Sequence, residues 1–156
     1  MTFPIEIYMT TTQILVAAIV GVCRNAERIG KSQKSKVAID EGDNWTKHIT
    51  GAIGESVLAK CLDKYWSCSV GTYKSCGDVG DFEVRLTHRS DGSLIVRPND
   101  VFERTFFLVT GTGHFYIVRG WLCGKDAQNP QWWRDPQGRG EPGWFVPQSE
   151  LHKEFP

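Results

Sequence analysis

Hydrophobic positions recur along this chain at two periods, about 3.6 residues in the first third and two residues from position 82 onward. Ile14, Leu15, Ala18, Val22 and Ala26 mark one stripe of a helix that Thr10, Thr11 and Thr12 can cap and that Gly30 ends, ahead of the polar stretch 31–36. Phe3 to Tyr8, before it, reads as a short edge strand carrying Pro4. A second helix is predicted from Asp43-Asn44 to about Leu62, with Ile53, Val57, Leu58, Cys61 and Leu62 as its apolar side. His48, Ala52, Glu55 and Ala59 fall on another line of that helix, at spacings of four, three and four. Its small residues let a strand come close, so Glu55 is expected to point over the strand and away from water.

The alternating runs predict strands over Phe82 to Arg89, Leu94 to Arg97, Thr105 to Thr110 and His114 to Leu122. Ser90-Asp91-Gly92 and Gly111-Thr112-Gly113 read as hairpin turns, which makes the expected sheet a mainly antiparallel meander. Gly111-Thr112-Gly113 lacks the strand and helix context of a phosphate loop. Residues 124–127 suggest a short helical turn, and Gly143 to Val146 a strand or clamp in a tail rich in Pro, Gly and Trp (129–156). Trp132-Trp133-Arg134 is expected to anchor that tail to the core, ahead of the alternative of stacking on bases. The order predicts an α/β or α+β layer fold, a mainly antiparallel or mixed sheet flanked by two N-terminal helices, in one domain over 1–156.

Composition narrows the class. Apolar residues make up 40% and charged residues 23%, which suits an ordinary globular core and argues against disorder. The net charge is zero, so a nucleic-acid partner has to be held by a local patch. Arg24, Arg28, Lys31, Lys34 and Lys36, against Glu27 alone, form the best one and are the predicted DNA-binding residues. The apolar run Ile14 to Cys23 is too short to span a bilayer and no Lys or Arg precedes it, so a soluble, cytoplasmic protein without a membrane role is expected. Five cysteines without a CxxC pair read as reduced, mostly core-filling thiols.

Candidate chemistry concentrates between Gly77 and Thr87. On a strand, Phe82, Val84 and Leu86 face a core while Asp81, Glu83, Arg85 and Thr87 face the other way. Mg²⁺ takes one or two carboxylates plus waters and substrate phosphate oxygens, a need that Glu83 with Asp78 or Asp81 meets. Arg85 lies one pleat further, about 7 Å along the strand, within reach of the same phosphate. Asp81 reads as a solvated neighbour of the other two, and His48 as a helix-surface residue and not a base.

Helix-borne Glu55, Asp78 and the run Glu83-Val84-Arg85 together resemble the PD-(D/E)XK nuclease superfamily, with Arg in place of the motif's Lys. The resemblance covers roughly residues 45–120, and the short gap from Asp78 to Glu83 is similar to that of mismatch-repair nickases and their restriction-enzyme relatives. The layout from residues 51–60 to 144–151 also resembles small phage and prophage proteins. What it implies is a restriction-endonuclease-like fold and a DNA endonuclease or nickase using Mg²⁺ or Mn²⁺. Glu55, Asp78, Glu83 and Arg85 would then be catalytic, and Asp78, Glu83 and the Val84 carbonyl would hold the metal. Arginine does not release its proton near neutral pH, so Arg85 can steady phosphate charge and cannot be the base. Metal-bound hydroxide, or a lysine such as Lys60 or Lys74, would have to stand in. The alternatives are an inactive nuclease-fold module that binds DNA or regulates, and a phage accessory protein without a nucleic-acid role.

Overall fold

The computed structural model describes residues 1–31, 41–71, 77–136, 138 and 140–156, with backbone alone at 41–43. Its elements run β1 (Ile5–Tyr8), α1 (Thr11–Gly30), α2 (Glu41–Cys61), β2 (Phe82–Thr87), β3 (Leu94–Val96), β4 (Thr105–Thr112), β5 (Phe115–Cys123), β6 (Trp133–Arg134) and β7 (Gly143–Val146). This is a mixed α and β architecture: four strands in the order β1-β5-β4-β2, and a second sheet in the order β3-β7-β6. Among the described residues no helix is long and apolar enough to cross a membrane.

Thr10 starts α1 with a reciprocal cap. Its hydroxyl accepts the Gln13 N–H at 3.2 Å, and the Gln13 side chain accepts the Thr10 N–H at 3.0 Å. The face α1 buries differs from the predicted stripe. Ala17, Val20, Gly21 and Asn25 turn inward, Ile14 is half-buried, and Leu15, Val22 and Ala26 are exposed. Close packing decides this. A Cβ on Gly21 would lie 2.5 Å from the Ile49 Cα, so α1 meets α2 through its smallest residues and the larger ones remain outside.

The predicted apolar side of α2 does face a core. Val57, Leu58 and Cys61 are buried, and Ile53 and Leu62 pack on the same cluster with Val84, Phe107, Val109 and Val118 from the sheet. The line through Ala52, Glu55 and Ala59 is buried as well. On the sheet's other face Phe106, Leu108 and Leu122 meet Leu94, Val96, Val146 and Leu151, forming a second core. The layers run α1, α2, large sheet, small sheet. Each fully buried Phe or Leu at these cores contributes about 1.5–3 kcal/mol.

The meander is corrected at its first turn. β3 does not fold back on β2; it pairs antiparallel with β7, Leu94 opposite Val146 and Val96 opposite Trp144. β2 instead pairs parallel with β4, from Phe82 opposite Thr105 to Thr87 opposite Thr110. The Gly111–Gly113 turn does join an antiparallel pair, β4 with β5, which carries a bulge between Leu108 and Val109. Residues 143–146 form a strand, and Trp132 and Trp144 anchor the tail on the second core, while Trp133 sits edge-on to Trp144 at 4.7 Å and Arg134 over the Phe145 ring at 5.8 Å within the tail itself.

Gly54 sets how close α2 comes to β2, because a Cβ there would lie 3.0 Å from the Leu86 Cβ and 3.3 Å from Val84 Cγ1. Gly54→Val is expected to lower the unfolding free energy by about 1–3 kcal/mol in urea titration, the usual range for overpacking.

Candidate functional site

Glu55 projects from the buried line of α2 and is only 6% exposed. A carboxylate so placed needs partners, and three N–H groups supply them. Arg24 of α1 grips it with both arms, Nη1 to Oε1 at 2.5 Å and Nη2 to Oε2 at 2.8 Å, and Trp66 Nε1 donates to Oε2 at 2.9 Å. Arg24 Nε donates to the Ser69 carbonyl at 2.8 Å, so this guanidinium joins α1, α2 and the segment after α2. The hydrogen bonds to Glu55 raise its pKa above the ordinary arginine value.

Asp78 reaches the same region from the turn that opens β2. Val79 and Phe82 exchange backbone hydrogen bonds at 3.1 and 3.2 Å across Gly80, which takes a positive φ of 62°. That turn aims the carboxylate at the backbone of β2, an edge strand, where Oδ2 accepts the Val84 N–H at 2.9 Å. Burial, then the nearby charges of Glu83 and Glu55, push the Asp78 pKa up to about 7, against the opposing pull of the Val84 bond and Arg85. The three acids nominated from sequence are thus drawn from helix, turn and strand into one electrostatic group.

Glu83 and Arg85 are half-buried on the face of β2 turned away from α2. Arg104, which sequence reasoning did not single out, takes Glu83 at 2.5 Å, with Arg85 3.7 Å away. The parallel register brings Arg104 there, since Thr105 lies opposite Phe82. Arg85 is committed in other directions: Nε to the Ile95 carbonyl at 3.1 Å, Nη1 to the Val84 carbonyl at 3.1 Å and Nη2 to Asp100 at 2.8 Å. Its guanidinium also lies 5.1 Å from the Phe106 ring centre. It fastens β3 and the following loop to the large sheet.

The remaining candidates are spread more widely. Asp81 is exposed. Lys60 turns to the Tyr8 carbonyl at 2.8 Å and Gln13 at 2.9 Å, so it does not substitute for the missing lysine. His48 sits against α1, where burial and the charges of Arg28 and Arg24 lower its pKa. Of the basic patch, Arg24 is turned inward to Glu55, Arg28 Nε bonds Asn25 at 3.0 Å and Lys31 pairs with Glu27 at 2.7 Å. Lys34, Lys36 and Lys74 lie outside the described residues.

The donor chemistry suits a hard divalent ion at two of the three acids. Asp78 and Glu83 carry oxygens and lie within electrostatic reach of each other, whereas both Glu55 oxygens are already occupied. The Val84 carbonyl would have to give up its bond from Arg85. Among the described residues no three His, Cys, Asp or Glu side chains are gathered closely enough to hold an ion. Compared with protein-family models, curated proteins and solved structures, the chain has no match.

Substitutions at two positions test this geometry. Arg24→Ala strands the buried Glu55 carboxylate and is expected to cost about 3–5 kcal/mol in urea unfolding, while Arg24→Lys, which keeps the charge and loses the fork, costs less. Asp78 holds its proton in the folded chain up to about pH 7, against 3.8 ordinarily. Its contribution to stability is therefore full below 3.8 and is lost as pH rises toward 7. Asp78→Asn, which still accepts the Val84 N–H, should be the more stable form above pH 7 by as much as about 4 kcal/mol, at about 1.4 kcal/mol per pKa unit. Thermal melts of both proteins from acid to mildly alkaline pH check this; parallel curves would contradict it.

Proposed function

We propose that this chain is a metal-dependent phosphodiester hydrolase acting on DNA, an endonuclease or nickase of the PD-(D/E)XK type, working in a phage-infected or prophage-bearing cytoplasm. The observation that carries the reading is the buried Asp78 carboxyl, which burial first, and then the charges of Glu83 and Glu55, hold protonated up to about pH 7. A divalent cation is the counter-charge that such a group favours. Asp78 and Glu83 would hold Mg²⁺ or Mn²⁺, with Val84 offering its carbonyl when Arg85 lets it go. The ion would polarise the phosphorus centre and activate a bound water.

The chain's own residues take the other tasks. Glu55 does not donate to the ion; it fixes Arg24 beside Asp78, where the guanidinium can meet a phosphate oxygen. Arg104 sits on Glu83 in the same relation. Arg85 serves as the strut that holds β3, more than as a phosphate ligand. Arg28 and Lys31, further along α1, extend the positive side toward a DNA backbone. The free thiols of Cys23, Cys61, Cys68 and Cys123 accord with a reducing compartment.

One observation favours a second reading, the inactive nuclease-fold module that binds DNA. Every acid in the group already has an N–H partner, and Lys60 faces the other way. Incubation of the protein with supercoiled and linear DNA in Mg²⁺ or Mn²⁺, alongside calorimetric titration of Mn²⁺, separates the two. The hydrolase reading predicts cutting that Glu83→Ala lowers by about 10²–10³-fold while weakening Mn²⁺ binding. Salt-sensitive DNA binding without cutting in either metal supports the inactive module, and absence of both metal and DNA binding contradicts each reading.

A further inference from the structure

The outer face of α1 is built from the helix's larger apolar residues. Leu15 is 56%, Ile19 61%, Val22 41% and Ile29 47% exposed, while Ala17 and Gly21 fill the inward face. At about 100° per residue, Thr11, Thr12, Leu15, Val16, Ile19, Val22, Cys23, Ala26, Ile29 and Gly30 share an arc of about 140°. None of them is charged. Arg24, Glu27 and Arg28, the charged residues of α1, all fall outside that arc. A helix apolar on both sides is one that is covered on both sides. Here α2 covers one, and among the described residues the other is left exposed.

We infer that a second copy of this chain covers it, α1 against α1, in a symmetric dimer. The spacing matches: Leu15, Ile19, Val22, Ala26 and Ile29 alternate steps of four and three, the seven-residue repeat with which two helices interdigitate at about +20°. Charge selects the same partner. A face with no charge across ten positions leaves any charged partner unpaired on desolvation, whereas its own copy brings an equally uncharged surface. Size sets the strength. Twenty residues make a face about 30 Å long and about 10 Å wide, and two such faces remove on the order of 600–1,000 Å² from water. That lies below the range of stable interfaces and within that of weak, transient ones, so the dissociation constant is expected on the order of 10 µM or weaker.

The dimer rests on α1 alone and stands whether or not the acids hold a metal, so it is tested without DNA or cations. Sedimentation equilibrium over about 1–500 µM should show the mass rising from 17.6 kDa toward twice that value. Ile19→Glu should abolish the rise with an unchanged circular dichroism spectrum, since the side chain is mostly outside the fold. Should that variant lose its helix content, the milder Ile19→Thr carries the test and should weaken association at least about tenfold. A wild-type mass fixed at 17.6 kDa throughout, or an association constant unmoved by Ile19→Thr, overturns the proposal. A monomer that instead sediments with phosphatidylcholine vesicles, and loses this with Ile19→Glu, overturns it in favour of a lipid surface.

Discussion

A carboxylate taken out of water has to be met by donors, and in this protein Glu55 is where that demand organises the structure. Its two oxygens draw in Arg24 from α1 and Trp66 from the segment after α2, and Arg24 in turn reaches the Ser69 carbonyl. Gly21 and Gly54 make this possible from opposite sides of α2, one admitting α1 and the other β2. Breaking such a pair costs more than it contributes when whole, because a buried charge is left behind. The outer helix is therefore tied to α2 and the segment after it through a charged contact as well as through apolar packing.

A second constraint works on the other side of β2. Arg85 uses all three kinds of guanidinium nitrogen to hold Ile95, Val84 and Asp100 in place, which joins the small sheet to the large one. Lysine, with one compact ammonium, has no equivalent fork. The Glu-x-Arg run thereby acquires a structural reason for its arginine. The same reason draws that residue away from the phosphate role its position suggests, and Arg24 and Arg104 are the guanidiniums that border the acids.

Local periodicity made some of this legible and long-range pairing hid the rest. The buried line Ala52, Glu55, Ala59 followed from helical spacing, and the inward set Phe82, Val84, Leu86 from strand alternation, since both depend on neighbours within a few residues. The stripe on α1 was misassigned because large apolar residues ordinarily mark the core; here the tight helix contact selects Ala17 and Gly21 and turns Leu15 and Val22 outward. The departure of β3 to β7 depends on a strand some fifty residues further on, and the parallel register of β2 with β4 follows from it. Arg104 was invisible for the same cause, as no spacing rule brings it to Glu83 without that register.

Helix, turn and strand bring Glu55, Asp78 and Glu83 into one electrostatic group, in which burial and the two neighbouring carboxylates hold the Asp78 proton. The most direct measurement is a ¹³C NMR titration of the Asp78 side-chain carboxyl in the intact, metal-free protein. A midpoint near 7, falling toward the ordinary range in Glu83→Gln, is the predicted result. A midpoint near 3.8 in the unaltered protein would contradict it.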